Sequence, residues 1–548
     1  MEFRKVKNIP DKSEINTVYL VKDGWNDWFY WETLFTMFYS NDCGELFKIG
    51  NTKIADKDMK ESSSLSEDEK GQPFFTPDLP DTFPSLDENF FSLGQSENFY
   101  ETLNQIPRNI RVEILKGIRD CAYNLEIFEN YKSHPAMKES LLRDVSERNV
   151  KESLHAIAYE EDHNKPFNFS YLFPTRDVNE NEIRLEFCVN NKDTPQSNIQ
   201  ALIGRNGVGK TTLFSGFIKG VIKLDTDIDI DIDIDTDIDI DIDIDIENPV
   251  GSLQVKEGTE WEDNSTYFNS LNLCSYSPFD RFGPVGPNRL PSGVKYQYIG
   301  LMVLDQRGDN KEQKLRPKSS DELHAEFCSS MQECLVGVRR NRWEECLDIL
   351  ENDPLFSEAG VSKLAQFEDK DYSKDWRDIV KKFLNKLSSG HLVTLLSITK
   401  LVEVTEDRSL TLIDEPEAHL HPPLISAYIR AVSHLMSERN GVAIVATHSP
   451  VVLQEVRSDC VWILNRTGQY VSADRPQIET FGENVGTLTR EVFSHEVVNT
   501  GFYKMIADTC EKLATFDEVN NYFSNKLGGE ARALARSLIN KKKRDSDD

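Results

Sequence analysis

The sequence predicts an α/β protein, a mostly parallel sheet covered by helices, and three observations predict it. From about residue 166, short runs of β-branched and aromatic residues alternate with helical patterns. One strand-to-helix junction, Gly204 to Thr211, has the spacing G-x-x-x-x-G-K-[ST]. Two apolar runs, 410–413 and 442–446, read as buried strands.

At 548 residues the chain has room for three or four units of roughly 150 residues, or one large unit with elaborations. The first 60 residues are aromatic-rich, with Trp25, Trp28 and Trp31 close together. Val18 to Val21 reads as a strand, 28–39 as a helix with a broad apolar face, and Phe47 to Ile54 as a second strand. Residues 55–90 are polar and proline-rich and read as a loop or mobile insert, and 97–160 are helical in pattern. FNFSYLF, IRLEFCV and Asn198 to Ile203 read as strands. A helix follows, with Leu213, Phe214, Phe217, Ile218, Val221 and Ile222 on one face.

Residues 225–247 hold eleven Asp and one Glu in near-strict alternation with Ile. As a strand, one face would be a ladder of mutually repelling carboxylates. The stretch reads as a simple-repeat expansion tolerated in a surface hairpin or disordered loop. Metal binding is the weaker reading, because calcium loops set carboxylates around a turn with glycine. Residues 270–300 return to strand character, 320–387 look helical, and a strand (410–413), helix (422–437), strand (442–446) and mixed tail follow.

These patterns divide the chain into five parts. They are an N-terminal strand and helix region packing on the core (1–160), a nucleotide-binding lobe with the acidic insert (161–315), a helical lobe (316–390), the second half of the core (391–470) and a C-terminal helical region suited to docking a partner (471–548).

The net charge is −30, so sequence-blind coating of nucleic acid is not expected, since lysine and arginine drive phosphate binding. A local basic channel or a basic partner stays open. No apolar run approaches the ~18–20 residues of a membrane span, and no apolar stretch follows the start MEFRKVKNIP. Nine cysteines without a C-x-x-C pair suggest reduced thiols, each most simply a small buried apolar residue. The expected setting is cytoplasmic, with no membrane contact.

The chemistry concentrates in four short motifs. In Gly204-Arg205-Asn206-Gly207-Val208-Gly209-Lys210-Thr211 the glycines let consecutive backbone N–H groups face phosphate oxygens at a helix N-terminus. Lys210 would reach the β/γ oxygens and Thr211 would hold Mg2+; a ligand-free turn is the plain alternative. The strand LTLI ends in Asp414 and Glu415, a metal-supporting carboxylate and a general base or water orienter. Ser388-Ser389-Gly390-His391 opens an apolar helix, a second anion-binding N-terminus. Two such ends make sense if two copies sandwich ATP head to tail. His448, after strand 442–446, can hydrogen-bond a γ-phosphate.

In this order and spacing, Gly204–Thr211, LSSGH, LIDEPEAHLHP and VATHSP resemble the ABC-type ATPase heads of transporters, chromosome-maintenance and repair complexes, and lysogenization-defect proteins. The resemblance covers about 165–465. DEPEAHLHP with THSP looks most like soluble ATPases of bacterial antiviral systems. The Trp-rich start, SYSPFDRFGP and TFGENVGTLTREVF are similar to the PtuA family of Septu systems, including retron-linked ones. The resemblance implies that Gly204 to Thr212 bind the phosphates of ATP, and that Asp414 and Thr211 support Mg2+. It makes Glu415 the catalytic glutamate and His448 the switch histidine. Ser388, Ser389 and Gly390 would belong to the signature that touches the partner's γ-phosphate, and Glu417 to His421 would fill a dimer-contact loop. The implied partners are a second copy or a higher homo-oligomer, a PtuB-like HNH-type nuclease, and a retron reverse transcriptase with its RNA/DNA.

Two departures stand out. The signature is LSSGH rather than LSGGQ, so Ser389 and His391 replace residues that pack on nucleotide, and turnover is expected to be slow, as in a gate. The glutamine usual after the second core strand is not evident; Ser277 and Asp280 are the polar candidates there. Gly283 to Ser388 leaves about a hundred residues, too few for long coiled-coil arms. After about 470 there is no Glu plus Asp-x-Asp set at plausible strand ends, and His495 is alone, so a nuclease is expected in the partner. Arg339, Arg340, Arg342 and Trp343 read as a solvated helix face or, less readily, a nucleic-acid contact. Lys541 to Arg544 read as a frayed end, and ALARSLI as a helix docked on its own core or on a partner. The rival reading is a DNA-repair ATPase that binds DNA directly; a transporter subunit fits less well.

Overall fold

The computed structural model describes all residues except 11, 24–30, 60–74, 162–164, 174–182, 223–250, 258–259, 264–266, 278–282, 285–294, 305–314, 368–375, 468–469, 498–500 and 548. Trp25, Trp28, Asp280 and the Asp-Ile repeat lie outside the described residues.

Strands β1 (Glu2–Val6), β2 (Thr17–Lys22), β3 (Leu34–Ser40), β4 (Leu46–Asp56), β5 (Thr82–Phe83) and β6 (Phe90–Gly94) form a six-stranded sheet in the order β5-β1-β2-β3-β4-β6. Helices α1 (Glu97–Asn104), α2 (Arg108–Gly117), α3 (Leu125–Tyr131), α4 (Glu147–Asn149) and α5 (His155–Ala158) follow, and most of them share the sheet's hydrophobic core. The helix expected over 28–39 is instead strand β3 from Leu34 onward. Phe35, Met37 and Tyr39 are buried while Leu34, Thr36 and Phe38 are only partly so. An aromatic-rich run satisfies helical and alternating templates alike, and pairing with β2 and β4 decides between them. The stretch expected as a loop, 55–90, is stitched into this unit where it is described: Met59, Leu79, Phe83, Leu86 and Phe90 are buried.

The central part begins with β7 (Phe167–Leu172), β8 (Arg184–Val189), β9 (Ile199–Gly204), α6 (Lys210–Ile222), β10 (Ser252–Glu257), β11 (Glu260–Asp263), β12 (Ser270–Ser275) and β13 (Lys295–Gly300). A small pair, β14 (Met302–Leu304) and β15 (Leu315–Pro317), leads to a helical lobe. The lobe contains α7 (Ser320–Cys334), α8 (Arg339–Leu350), α9 (Pro354–Ala359) and α10 (Trp376–Leu384). Then come α11 (Ser389–Val404), β16 (Ser409–Asp414), α12 (Pro422–Glu438), β17 (Val442–Thr447), α13 (Pro450–Leu453), β18 (Val461–Thr467) and β19 (Tyr470–Asp474).

The core sheet has the order β13-β12-β16-β17-β9-β18-β19, parallel except for β19. Its side chains alternate between two cores, as a strand period of two requires. Leu202, Leu273, Leu410, Leu412 and Ile444 pack towards α6 and a four-stranded antiparallel sheet, β11-β10-β7-β8. Ala201, Ile203, Ile413, Ala443 and Val445 pack towards the helices. This is the predicted α/β architecture, a mostly parallel sheet covered on both faces, and β19 runs across the division expected at 470.

A buried ion network docks the N-terminal unit on this core. Arg439, at the end of α12, bonds Glu97 and, at 2.8 Å, Glu101, both from α1. Glu101 also takes Arg342 at 2.5 Å, and Glu97 accepts the backbone N–H of Asp407 at 2.6 Å. These bonds correct the reading of the arginine cluster. Arg342 belongs to this network, and Trp343 is fully buried, its indole N–H donating to Thr399 at 3.1 Å. Neither can meet a nucleic acid.

The tail adds α14 (Val485–Val497), α15 (Gly501–Lys512), α16 (Phe516–Tyr522) and α17 (Gly529–Asp547). The last three share a small core that includes Ile506, Val519, Ala535 and Ile539. The expected frayed end is wrong at Lys542. Its ammonium donates to the carbonyls of Cys510, Glu511 and Leu513 at 3.0, 2.6 and 3.2 Å, where α15 ends with unsatisfied acceptors. Among the described residues, no helix is long and apolar enough to cross a membrane.

Candidate nucleotide site

Register brings the functional motifs to one edge. Asp414 pairs with Ala446, and Ala446 and Thr447 pair with Leu202 and Ile203. The carboxyl ends of β16, β17 and β9 therefore lie side by side, where open α/β sheets place their ligands. β9 runs directly into the phosphate loop. Gly207 and Gly209 take φ of +80° and +99°, with open space where a side chain would stand. Only glycine adopts both at little cost, so the main chain is left bare towards a ligand. Arg205, Asn206, Thr211 and Thr212 are exposed at this edge. The Val208 side chain is buried, so only its main chain can face a ligand.

Lys210 opens α6. Its Nζ donates to the carbonyls of Gly204 and Arg205 at 3.1 and 3.2 Å and lies 2.8 Å from His448 Nε2. Burial lowers the Lys210 pKa, against the pull of Glu415, Asp414 and Glu417. Thr211 Oγ1 stands 3.5 Å from Asp414 Oδ2, a hydroxyl and a carboxylate facing one another as an octahedral cation requires.

Glu415 sits at φ +43°, a left-handed conformation that costs a non-glycine residue about 1–3 kcal/mol. Its N–H donates to Ala446 at 2.9 Å, which fastens the turn to β17. The carboxylate lies 2.8 Å from His448 Nε2. That nitrogen cannot serve both neighbours. As N–H it donates to Glu415; as a lone pair it accepts from Lys210.

Glu417 turns back on the same edge. One carboxylate oxygen accepts the Thr447 hydroxyl at 2.8 Å, the His448 N–H, and the Ser449 N–H at 3.1 Å. It was expected in a dimer-contact loop together with His421. In this chain its carboxylate anchors the backbone that carries His448.

The signature lies on a different element. Ser388 caps α11, and Ser388 and Ser389 are exposed. Gly390 is buried, and a side chain there would come within 2.4 Å of the His419 carbonyl, so the signature turn packs directly on the loop after Glu415. His391, which stands where the resemblance has a residue that packs on nucleotide, is turned inward. It is 3% exposed, bonded through Nδ1 to Ser388 Oγ at 2.6 Å and through Nε2 to Asp353 Oδ1 at 2.9 Å. Asp353 also caps α9 by accepting from Leu355 and Phe356, and His421 lies 3.5 Å from its other oxygen.

The structure thus gathers Gly204 to Thr212, Asp414, Glu415 and His448 at one edge, and sets Ser388 to Gly390 at a separate helix start. Asp353 and the anchoring contacts of Glu417 were missed. Asp353 is 38 residues from His391 and belongs to no motif; the only sequence signal was an Asp-Pro pair able to cap a helix.

Over 542 residues the chain is 32% identical to Protein ea59 of Escherichia phage lambda, covering 96% of this chain and 95% of that one. The chain belongs to the Ea59 family. Within this family member, residues 366–454 match the domain described as "AAA domain, putative AbiEii toxin, Type IV TA system". That stretch holds Ser388 to Gly390, Asp414, Glu415 and His448, so these candidate residues lie in an AAA-type domain. Two solved structures are also similar. One is the ADP conformation of MJ1267, an ATP-binding cassette of an ABC transporter (13% identity, 61% of this chain and 97% of that one, TM-score 0.28). The other is Stu0660 of Streptococcus thermophilus (12% identity, 52% and 73%, TM-score 0.22).

Proposed function

We propose that this Ea59-family chain hydrolyses ATP in a pocket completed by a second copy, and that the closed and open pairs form a switch. One observation carries the reading. The glycine-rich turn with Lys210 meets Glu415 and His448 at one sheet edge, while the exposed Ser388 and Ser389 stand at a different helix N-terminus. In this reading Gly204 to Thr212 hold the triphosphate, Glu415 orients or deprotonates the attacking water, and His448 contacts the γ-phosphate. The residues fit magnesium, with Thr211 and Asp414 as its holders; when bound, it neutralises charge across the β- and γ-phosphates. Ser388, Ser389 and Gly390 meet the γ-phosphate of the other copy. Nucleotide then shifts the population towards the closed pair by contacts made only there.

The finer reading is a regulator of an HNH-type nuclease subunit in an anti-phage complex of the Septu type, with a retron reverse transcriptase as a further associate. Its support is the resemblance of SYSPFDRFGP and TFGENVGTLTREVF to the PtuA family. Direct DNA binding is the weaker alternative, because Arg342 and Trp343 are interior.

The test is the solution mass of the Glu415→Gln variant. With MgATP it is expected to double and persist, while ADP leaves it unchanged. A mass that ignores ATP overturns the two-copy pocket. Wild-type hydrolysis rates in the same variant overturn the role of Glu415.

A further inference from the structure

Ser388, His391 and Asp353 form a chain of hydrogen bonds. We propose that His391 takes up a proton when the signature meets a γ-phosphate, and that this proton turns the Ser388 hydroxyl outward as a hydrogen-bond donor. The inference rests on the two-copy ATP pocket and adds its regulation by pH.

The bonds fix the alternatives. Asp353 is 2% exposed and already accepts two backbone N–H groups of α9. Burial alone would raise its carboxyl, but the bonds from His391, Phe356 and Leu355 more than offset this and hold it below the usual carboxylate range. It is therefore an anion at neutral pH, and the His391 nitrogen 2.9 Å away carries a hydrogen. A neutral His391 then has only a lone pair on Nδ1, and the Ser388 hydroxyl 2.6 Å away must donate its proton to it. In that state one lone pair of Ser388 accepts the His391 backbone N–H and the other faces outward, the wrong polarity for a phosphate oxygen. With a second proton, Nδ1–H donates to Ser388, and the Ser388 O–H is free to donate outward. The buried carboxylate supports the imidazolium, and an arriving phosphate adds further drive.

Among the described residues, few charged or titratable groups face this ring. Asp353 comes from the start of α9, and His421 from the start of α12, its ring centre 5.9 Å away. Phe356 packs edge-on at 4.7 Å and carries no charge. A protonated His421 would compete for Asp353, so it must be separated experimentally.

The experiment uses the full chain carrying Glu415→Gln. Proton exchange on MgATP-driven pairing is measured by calorimetry in buffers of different ionisation enthalpy, with pairing itself followed by sedimentation from pH 5.5 to 8.5. The expected result is uptake of about one proton per nucleotide, and pairing that weakens by up to about tenfold per site for each unit rise in pH. Adding His391→Gln should remove both effects; loss of the uptake on adding His421→Gln, with pairing retained, would put the proton on His421 and overturn the relay. Ser388→Ala, at an exposed position, should remove the uptake as well and guards against a folding defect at His391. Pairing with equal proton exchange in all variants overturns the relay and leaves the two-copy pocket standing. No pairing with ATP at any pH overturns the pocket, and the relay with it.

Discussion

The ammonium of Lys210 lies 2.8 Å from Nε2 of His448, across 238 residues of sequence. The group that should receive phosphate is thus held by the group that should sense it. A nucleotide entering the cradle must draw Lys210 away, and His448 is then left to donate to Glu415 or to the γ-phosphate. His448→Ala is therefore expected to leave ADP affinity within about threefold of the parent. It should also slow ATP hydrolysis by about 100-fold or more, the usual scale for a lost proton-transfer or charge-stabilising group. Fluorescent-ADP titration and a phosphate-release assay read the two effects. Equal losses in both would mean that His448 supports the fold rather than the reaction.

Glu417 predicts a different pattern. Its carboxylate acts on Lys210 only through space; its bonds go to Thr447, His448 and Ser449. Glu417→Ala should release the backbone that aims His448, lowering kcat by about tenfold to 100-fold while the KM for ATP stays within about twofold. Glu417→Gln keeps one acceptor oxygen and should recover much of the loss. Steady-state kinetics of the three proteins decide; a change confined to KM would assign Glu417 to binding instead.

The contiguous parts of this site were legible in sequence because each motif is a local device. A phosphate loop needs glycines at fixed offsets, and a strand ending in Asp414 and Glu415 needs only the apolar run before it. His391 shows where that logic stops. Its role depends on Asp353, brought to it by packing of the helical lobe, and no periodicity encodes such a contact. β3 failed for a related reason. Alternating aromatic residues fit two templates, and only the neighbouring strands choose between them. Arg342 read as surface because its partner, Glu101, comes from a helix 241 residues away.

The network at Arg439 predicts a large stability effect. The guanidinium is 3% exposed, and Glu97 beside it is 1% exposed. Removing Arg439 leaves Glu97 buried without its counter-charge, which costs about 3–5 kcal/mol, while Glu101 keeps its bond to Arg342. Arg439→Ala should lower the thermal midpoint, while the double variant Glu97→Gln with Arg439→Met should lose less than Arg439→Ala alone. Scanning calorimetry of the variants checks this, and a midpoint unchanged in Arg439→Ala would remove the network as the clamp between the N-terminal unit and the core.

Asp120 gives the acid-side counterpart. Burial pushes its carboxyl up to about 6, although bonds from Tyr123, Tyr100 and Gly94 pull the other way. The folded chain therefore holds a proton here that the unfolded chain, near 3.8, has released. For a raised pKa the stabilising contribution is complete below about 4 and is lost as pH rises through about 6. A shift of this size corresponds to about 3 kcal/mol across that window. Asp120→Asn keeps the shape without the titration. Unfolding free energy from urea titrations, taken as wild type minus Asp120→Asn, should fall from pH 4 to pH 7 and level off above it. A difference that stays flat, or rises with pH, would show that Asp120 is ionised at the lower pH despite its burial.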